Sequence, residues 1–178
     1  MPDFPPPDLA PILPEDVPAI AALARRIWED AYSSLLPPGQ IDYMLAQRYD
    51  HDRLLAEIGN PQKWWVQAFL GDFRAGFACS EIQAGESGPE FKLDKLYVHP
   101  EAQRRGIGRA LVAHAVETAK EQGFDRLILA VNKQNTRALQ AYARYGFTRR
   151  ASTVTDIGGG YVMDDYIMEK RFGCGNQG

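Results

Sequence analysis

Apolar residues in the first part of the chain recur at helical spacing. Val17, Ile20, Ala21, Ala24, Ile27 and Trp28 follow Pro14-Glu15-Asp16, which puts a proline and acids at a helix start, and the run ends near Ser33-Ser34. Ahead of it, Leu9 to Leu13 suits an edge strand, because Pro11 lacks a ladder donor. After Pro37-Pro38-Gly39 two more helical stretches carry Ile41, Met44, Leu45 and Tyr49, then Leu54, Leu55 and Ile58, stopped by Gly59-Asn60-Pro61.

From Trp64 the pattern changes to strands. Trp64 to Leu70, a turn at Gly71-Asp72 and Phe73 to Ile82 read as a hairpin of aromatic and β-branched residues. Ala84 to Pro89 reads as a loop, and Phe91 to Val98 as the next strand. A long helix then carries Ile107, Leu111, Val112, Ala115, Val116 and Ala119 on one face, with Gly123 as its cap. Asp125 to Val131 is a short buried strand, Thr136 to Tyr145 a helix capped by Gly146, and Phe147 to Thr155 with Tyr161 to Glu169 a last pair of strands around Gly158-Gly159-Gly160. The helix between Val98 and Arg126 implies a parallel crossover and the hairpins supply antiparallel pairs, so the order predicts an α/β layered fold with a mixed sheet.

Composition narrows the function classes. The chain of 178 residues suits a single domain over residues 1–172, with the tail from Gly173 expected to fray. A net charge of −3 argues against a nucleic-acid binder and leaves room for a cationic substrate. The N-terminal residues lack the basic and apolar regions of a signal peptide, and no apolar run suggests a membrane span, so a cytoplasmic protein is expected. Cys79 and Cys174 form no disulfide framework, and the histidines at 51, 99 and 114 show no metal spacing, so no metal is expected.

Chemistry concentrates in Gln103-Arg104-Arg105-Gly106-Ile107-Gly108-Arg109-Ala110, which follows a strand and opens the longest-patterned helix. Unpaired N–H groups at a helix N-terminus, two glycines and flanking arginines make an anion site, suited to the pyrophosphate of a coenzyme. A P-loop would need lysine and then Ser or Thr after its last glycine, and Gly108 is followed by Arg109-Ala110. A dinucleotide loop would need a third glycine where Leu111 stands, and an acid after the next strand, which ends in Val131-Asn132.

Gln103-x-x-Gly106-x-Gly108 after a strand, then Asn132, then Asn135-x-x-Ala138-x-x-x-Tyr142-x-x-Tyr145-Gly146-Phe147, resembles the GNAT superfamily of acetyl-coenzyme A dependent N-acetyltransferases. The resemblance is tightest over Leu93 to Phe147. It implies a three-layer fold whose central mixed, mostly antiparallel sheet of about seven strands contains a splayed parallel pair and is flanked by helices. It also implies direct transfer of an acetyl group from acetyl-coenzyme A to a primary amine, with the pantetheine arm paired like an extra strand.

Carried over by that resemblance, the coenzyme meets the main chain of Leu96, Tyr97 and Val98 and the loop from Gln103 through Arg104, Arg105, Gly106, Ile107, Gly108, Arg109 and Ala110. Asn132, Asn135 and Tyr145 border it. Tyr142 takes the place of the acid that protonates the departing thiolate, and the Val98 N–H that of the oxyanion donor. The glutamate base of histone-type members is replaced by Lys92, leaving Asp94, on the same strand face, and Glu81 as candidate bases. Cys79 reads as inert packing. The acceptor cleft falls to the first helices and last hairpin, with Trp28, Glu29, Asp30, Tyr32, Asp42, Tyr43, Asp164, Asp165 and Tyr166, which suits a small-molecule amine such as a polyamine, or a peptide amine. No nucleic acid or membrane partner is implied, and a homodimer is open. The competing class is a non-enzymatic module that senses acetyl-coenzyme A.

Overall fold

A computed structural model describes residues 4–173. In chain order the elements are β1 (Asp8–Pro11), α1 (Val17–Tyr32), α2 (Pro38–Arg48), α3 (His51–Ile58), β2 (Lys63–Leu70), β3 (Phe73–Gly85), β4 (Gly88–Val98), α4 (Ile107–Glu121), β5 (Arg126–Asn132), α5 (Thr136–Arg144), β6 (Thr148–Gly158) and β7 (Tyr161–Arg171). Seven strands form one sheet in the order β1-β2-β3-β4-β5-β7-β6. Every neighbouring pair is antiparallel except β4 and β5. This is the three-layer arrangement that the resemblance implies, with a mixed sheet between two layers of helices.

Each helix layer follows from its apolar stripe. Ile107, Leu111, Val112, Ala115 and Ala119 of α4 bury against Phe91 and Leu93 of β4 and Leu127, Leu129 and Val131 of β5, and α5 joins this face through Leu139, Tyr142 and Tyr145. On the opposite face Val17, Ile20, Ala24 and Trp28 of α1 pack with Met44, Leu54, Trp65, Phe77 and Met163. No helix among the described residues is long and apolar enough to cross a membrane.

The strands run further than periodicity predicted. Ala84 to Pro89 is not a loop: β3 reaches Gly85, β4 starts at Gly88, and the pairs Gln83–Glu90, Ala84–Pro89 and Gly85–Gly88 continue the ladder to a tight turn. Gly88 makes this possible with φ of +123°, a conformation rarely open to a residue with a Cβ. The last hairpin likewise extends to Gly158 and Arg171. Cys174 and almost all of the tail expected to fray lie outside the described residues.

Candidate active site

The anion loop is built as its residue types require. Gly106 is the N-cap of α4 at φ +80°, and Arg104 also lies in the left-handed region at φ +64°. The first bond along the helix is Ala110 N–H to the Gly106 carbonyl, and no side chain caps the end. Main-chain donors at Gly106, Ile107, Gly108 and Arg109 therefore have no acceptor within the helix, and the helix dipole adds to their pull on an anion.

The two glycines do different work. Nothing lies within 4 Å of a Cβ placed at Gly106, so this residue supplies conformation and open approach. At Gly108 such a Cβ would lie 2.7 Å from the Tyr145 hydroxyl, so Gly108 makes room for that ring rather than for a phosphate. Arg109 lies over the same ring at 5.8 Å and Arg105 over Phe4 at 5.1 Å. Gln103 accepts a hydrogen bond from Arg137 at 3.0 Å, which ties the loop to α5. The Ile107 side chain is buried in the core, and Ala110 lies on the first turn behind it.

Beside this loop the sheet comes apart. β4 and β5 meet at one register pair, Lys92 with Ile128. Just beyond, the β3–β4 ladder slips: Ser80 faces Leu93 and Cys79 faces Lys95, leaving Asp94 as an extra residue. Such a bulge bends its strand and increases its twist. The direction of the main chain past the bulge follows from pairing. His99 N–H donates to Ala75, and bonded pairs alternate in an antiparallel ladder, so Tyr97 is bonded to Phe77 while Leu96 and Val98 turn their N–H and C=O groups toward the gap. Of the three residues expected to present main chain to a coenzyme, Leu96 and Val98 turn theirs toward the gap and Tyr97 turns its own toward β3.

The Tyr97 side chain instead points to the α1 face, where phenols and an indole converge. Trp28 lies 5.0 Å from Tyr32 and 6.0 Å from Tyr97 between ring centroids. Burial pushes the Tyr97 phenol up to about 12, and raises Tyr32 and Tyr49 as well. Tyr142 reaches the gap from α5 on the other side. Burial raises its phenol too, with smaller contributions from Tyr32, Tyr97 and Tyr145, so these rings meet around the parted strands. The Tyr142 ring lies 5.6 Å from the Phe147 ring between centroids.

Asn132 and Asn135 hold this end of the site together. Asn132 accepts from the Gln134 N–H at 2.8 Å, and Asn135 caps α5 by accepting from Ala138 N–H at 3.2 Å. Asn135 also donates to the Tyr32 hydroxyl at 3.4 Å, linking α5 to α1 across the gap.

The acids divide. Asp94 accepts from Lys95 at 2.6 Å and pairs with Lys92, two residues before it on the strand, at 3.3 Å. Burial works against its charge, but the two ammonium groups prevail and hold its carboxyl well below the usual range. Glu81 pairs with Lys63 at 3.0 Å. Both candidate bases thus sit in one ion network with Glu57, behind the gap. Glu29 and Asp42 pair with Arg25, Asp30 with Arg137 and Asp164 with Lys133. Tyr43 bonds the Ile157 carbonyl, and Tyr166 belongs to the opposite face, under Arg149. From the expected acceptor set only Trp28, Tyr32 and Asp165 converge on the gap.

Asp165 differs from every other acid of that set. It stands opposite Asn132 in the β5–β7 ladder, only 9% exposed, and its Oδ1 is buried without a hydrogen-bond partner among the described residues. The Trp28 indole nitrogen and the Tyr49 hydroxyl are also buried, and both approach the Tyr97 phenol. The charge of Arg48 on α2, which sequence reasoning overlooked, bears on Tyr32, Tyr49, Asp94, Tyr97 and Asp165. The bulge was also overlooked, although apolar positions 91, 93, 96 and 98 carry the phase slip that betrays it.

Cys79 is buried beside this network, and burial pushes its thiol up, which suits packing rather than nucleophilic work.

Known proteins share both fold and sequence pattern. A spermidine N(1)-acetyltransferase from Thermoplasma acidophilum is 28% identical over 158 residues, 89% of this chain and 92% of that protein. The crystal structure of the PaiA N-acetyltransferase from Thermoplasma acidophilum in complex with coenzyme A superposes with a TM-score of 0.77 at 26% identity, covering 94% of this chain and 100% of the other. A GCN5-related N-acetyltransferase from Rhodopseudomonas palustris shares the fold at a TM-score of 0.78 and 23% identity, over 95% and 98% of the two chains. Residues 21–147 match the acetyltransferase (GNAT) family, and with the parted strands and uncapped helix already in place, this chain belongs to it and is an acetyl-coenzyme A dependent N-acetyltransferase.

Proposed function

We propose that the chain transfers the acetyl group of acetyl-coenzyme A directly to the primary amine of a small cationic acceptor, in a ternary complex. The observation that carries this reading is the gap itself. One side offers an unpaired strand edge at Leu96 and Val98 leading to the free donors of Gly106 to Arg109; the other offers Trp28, Tyr32 and Asp165. Two substrates can then enter from opposite faces and meet between β4 and β5. A carboxylate among aromatic rings favours a cation, and similarity to a spermidine N(1)-acetyltransferase supports a polyamine-like acceptor.

In this reading the loop from Gln103 to Ala110 grips the pyrophosphate, with Arg104, Arg105 and Arg109 adding charge, while the pantetheine arm completes the ladder along Leu96 and Val98. The Val98 N–H, which faces the gap, stabilises the oxyanion that forms when the amine attacks the thioester. Tyr142 protonates the departing thiolate. Asn132, Asn135 and Tyr145 border the arm.

Coenzyme A release measured over a panel of amines, including spermidine, lysine derivatives and peptide N-termini, tests the reading. The expected outcome is turnover with cationic small amines and a loss for Tyr142→Phe on the order of tenfold to a thousandfold at saturating acetyl-coenzyme A. Calorimetric binding of acetyl-coenzyme A without transfer to any amine would leave only a sensor.

A further inference from the structure

We propose that Asp165 receives the acceptor's amino group, holding it as an ammonium ion and then taking the proton that must leave before nitrogen can attack. This rests on the acetyl-transfer reading above and gives it the base that Asp94 and Glu81 do not supply.

Position comes first. β7 places Asp165 level with Asn132, at the end of β5 where that strand has parted from β4. It shares the face of Met163, which packs with α1 and α2, and it lies close enough to Tyr32 for its charge to bear on that phenol. Satisfaction comes second. A carboxylate that is nine-tenths buried ordinarily meets donors, yet its Oδ1 has none among the described residues. An entering ammonium supplies them. The adjacent Asp164 is more than half exposed and paired with Lys133, so the two neighbours are not interchangeable.

Basicity comes third. Burial raises the Asp165 carboxyl above the ordinary range and Asp164 adds to this, while Arg48 from α2, Lys92 from β4 and Lys133 beyond β5 pull the other way. Tyr32 faces it from α1. A raised carboxylate is a better proton acceptor than one held down, as Asp94 is.

The transfer balances. One N–H bond of the ammonium breaks and an O–H bond forms on Asp165. The freed pair makes the C–N bond to the thioester carbon, whose π electrons move to oxygen; as they return, the C–S bond breaks and its pair leaves on sulfur. The Tyr142 hydroxyl gives its proton to that thiolate and takes the second proton from nitrogen. The products are the amide, the free thiol and one proton that passes from Asp165 to water.

The test uses spermidine as acceptor and follows kcat/KM against pH. Lysine, arginine and tyrosine ordinarily titrate above pH ~9, and the imidazoles of His51, His99 and His114 are untouched by a change at 165, so an acidic limb of the wild type that moves to the amine's own range in Asp165→Asn belongs to this carboxylate. Asp165→Asn is expected to lower kcat/KM about a thousandfold at neutral pH. Its rate should then climb roughly tenfold per pH unit as the amine loses its own proton, closing on the wild type near pH ~10. Acetyl-coenzyme A affinity should be unchanged, which reports that the variant is folded. Asp165→Glu should keep the acidic limb, and Asp164→Asn should keep the rate at neutral pH while its limb moves down, because the charge removed is one that raises Asp165. An Asn variant within about threefold of wild type at neutral pH overturns the assignment, as does a loss confined to KM with the profile unmoved. A wild-type chain that binds acetyl-coenzyme A but acetylates no amine overturns the transfer reading, and the assignment with it.

Discussion

Acids stand on either side of the gap between β4 and β5, and the two sides treat them in opposite ways. On the β3–β4 side Asp94, Glu81 and Glu57 share Lys63, Lys92 and Lys95, and Lys95 is buried against the Trp65 ring at 5.1 Å. On the β7 side Asp165 keeps an oxygen without a partner. The first arrangement fixes a bulge; the second leaves a buried carboxylate oxygen without a donor among the described residues. A carboxylate's role here is decided less by its being acidic than by whether the fold has already answered its charge.

The comparison breaks most visibly if the network is opened. Lys95→Met leaves Asp94 and Glu57 short of a buried cation, and should cost about 3 kcal/mol in urea unfolding. Asp94→Asn should cost about 2 kcal/mol for the converse reason while turnover per folded molecule stays within about threefold. A variant that is stable but inactive would return Asp94 to the role of base.

Acidification sharpens the contrast. Because the folded Asp94 carboxyl is held below its ordinary value, its stabilisation is present above pH ~4 and is lost as pH falls through the folded value. Asp165, whose folded value is raised, behaves oppositely: its ionised form burdens the fold at neutral pH, and the burden disappears below the ordinary carboxylate value. Asp165→Asn should therefore be more stable than wild type at neutral pH by about 0.5–2 kcal/mol, a gain that vanishes below pH ~4 in pH-dependent urea unfolding. Equal stability at every pH would mean that Asp165 is not burdened at all.

The smallest effect is expected from Glu81→Gln. Its pair with Lys63 is partly solvated, so stability should move by less than about 1 kcal/mol. Turnover should be unchanged, and a large loss would place Glu81 in the chemistry.

How legible all this was varied with the reach of the cause. The stripes of α1 and α4, the loop from Gln103 to Ala110 and the crossover that makes β4 and β5 parallel are written in local spacing, and the structure has them. The bulge is a slip against β3, so it depends on a partner strand that local alternation does not see, although Leu93 and Leu96 mark it. Asp164 and Asp165 look alike as neighbouring letters. They differ because Asp165 falls in phase with buried Met163, a clue that gains meaning only once β7 is known to lie between β5 and β6. Gly108 looked like a phosphate glycine, and only the packing of Tyr145 shows what its missing side chain makes room for.

The bulge at Asp94 also changes what the middle of the sheet is. Past the Lys92–Ile128 pair, the seven strands behave as a four-stranded and a three-stranded sheet held side by side by α4. Each has an edge in the interior of the molecule, where amides ordinarily exchange with solvent slowest. Leu96 and Val98, central in the strand order, should exchange their amide hydrogens like residues of an outer strand when no ligand is bound, and become protected when a pantetheine arm joins the two sheets. The coenzyme would then be a structural member as well as a reactant, and the rigidity of this protein would follow its occupancy by coenzyme, acetylated or not.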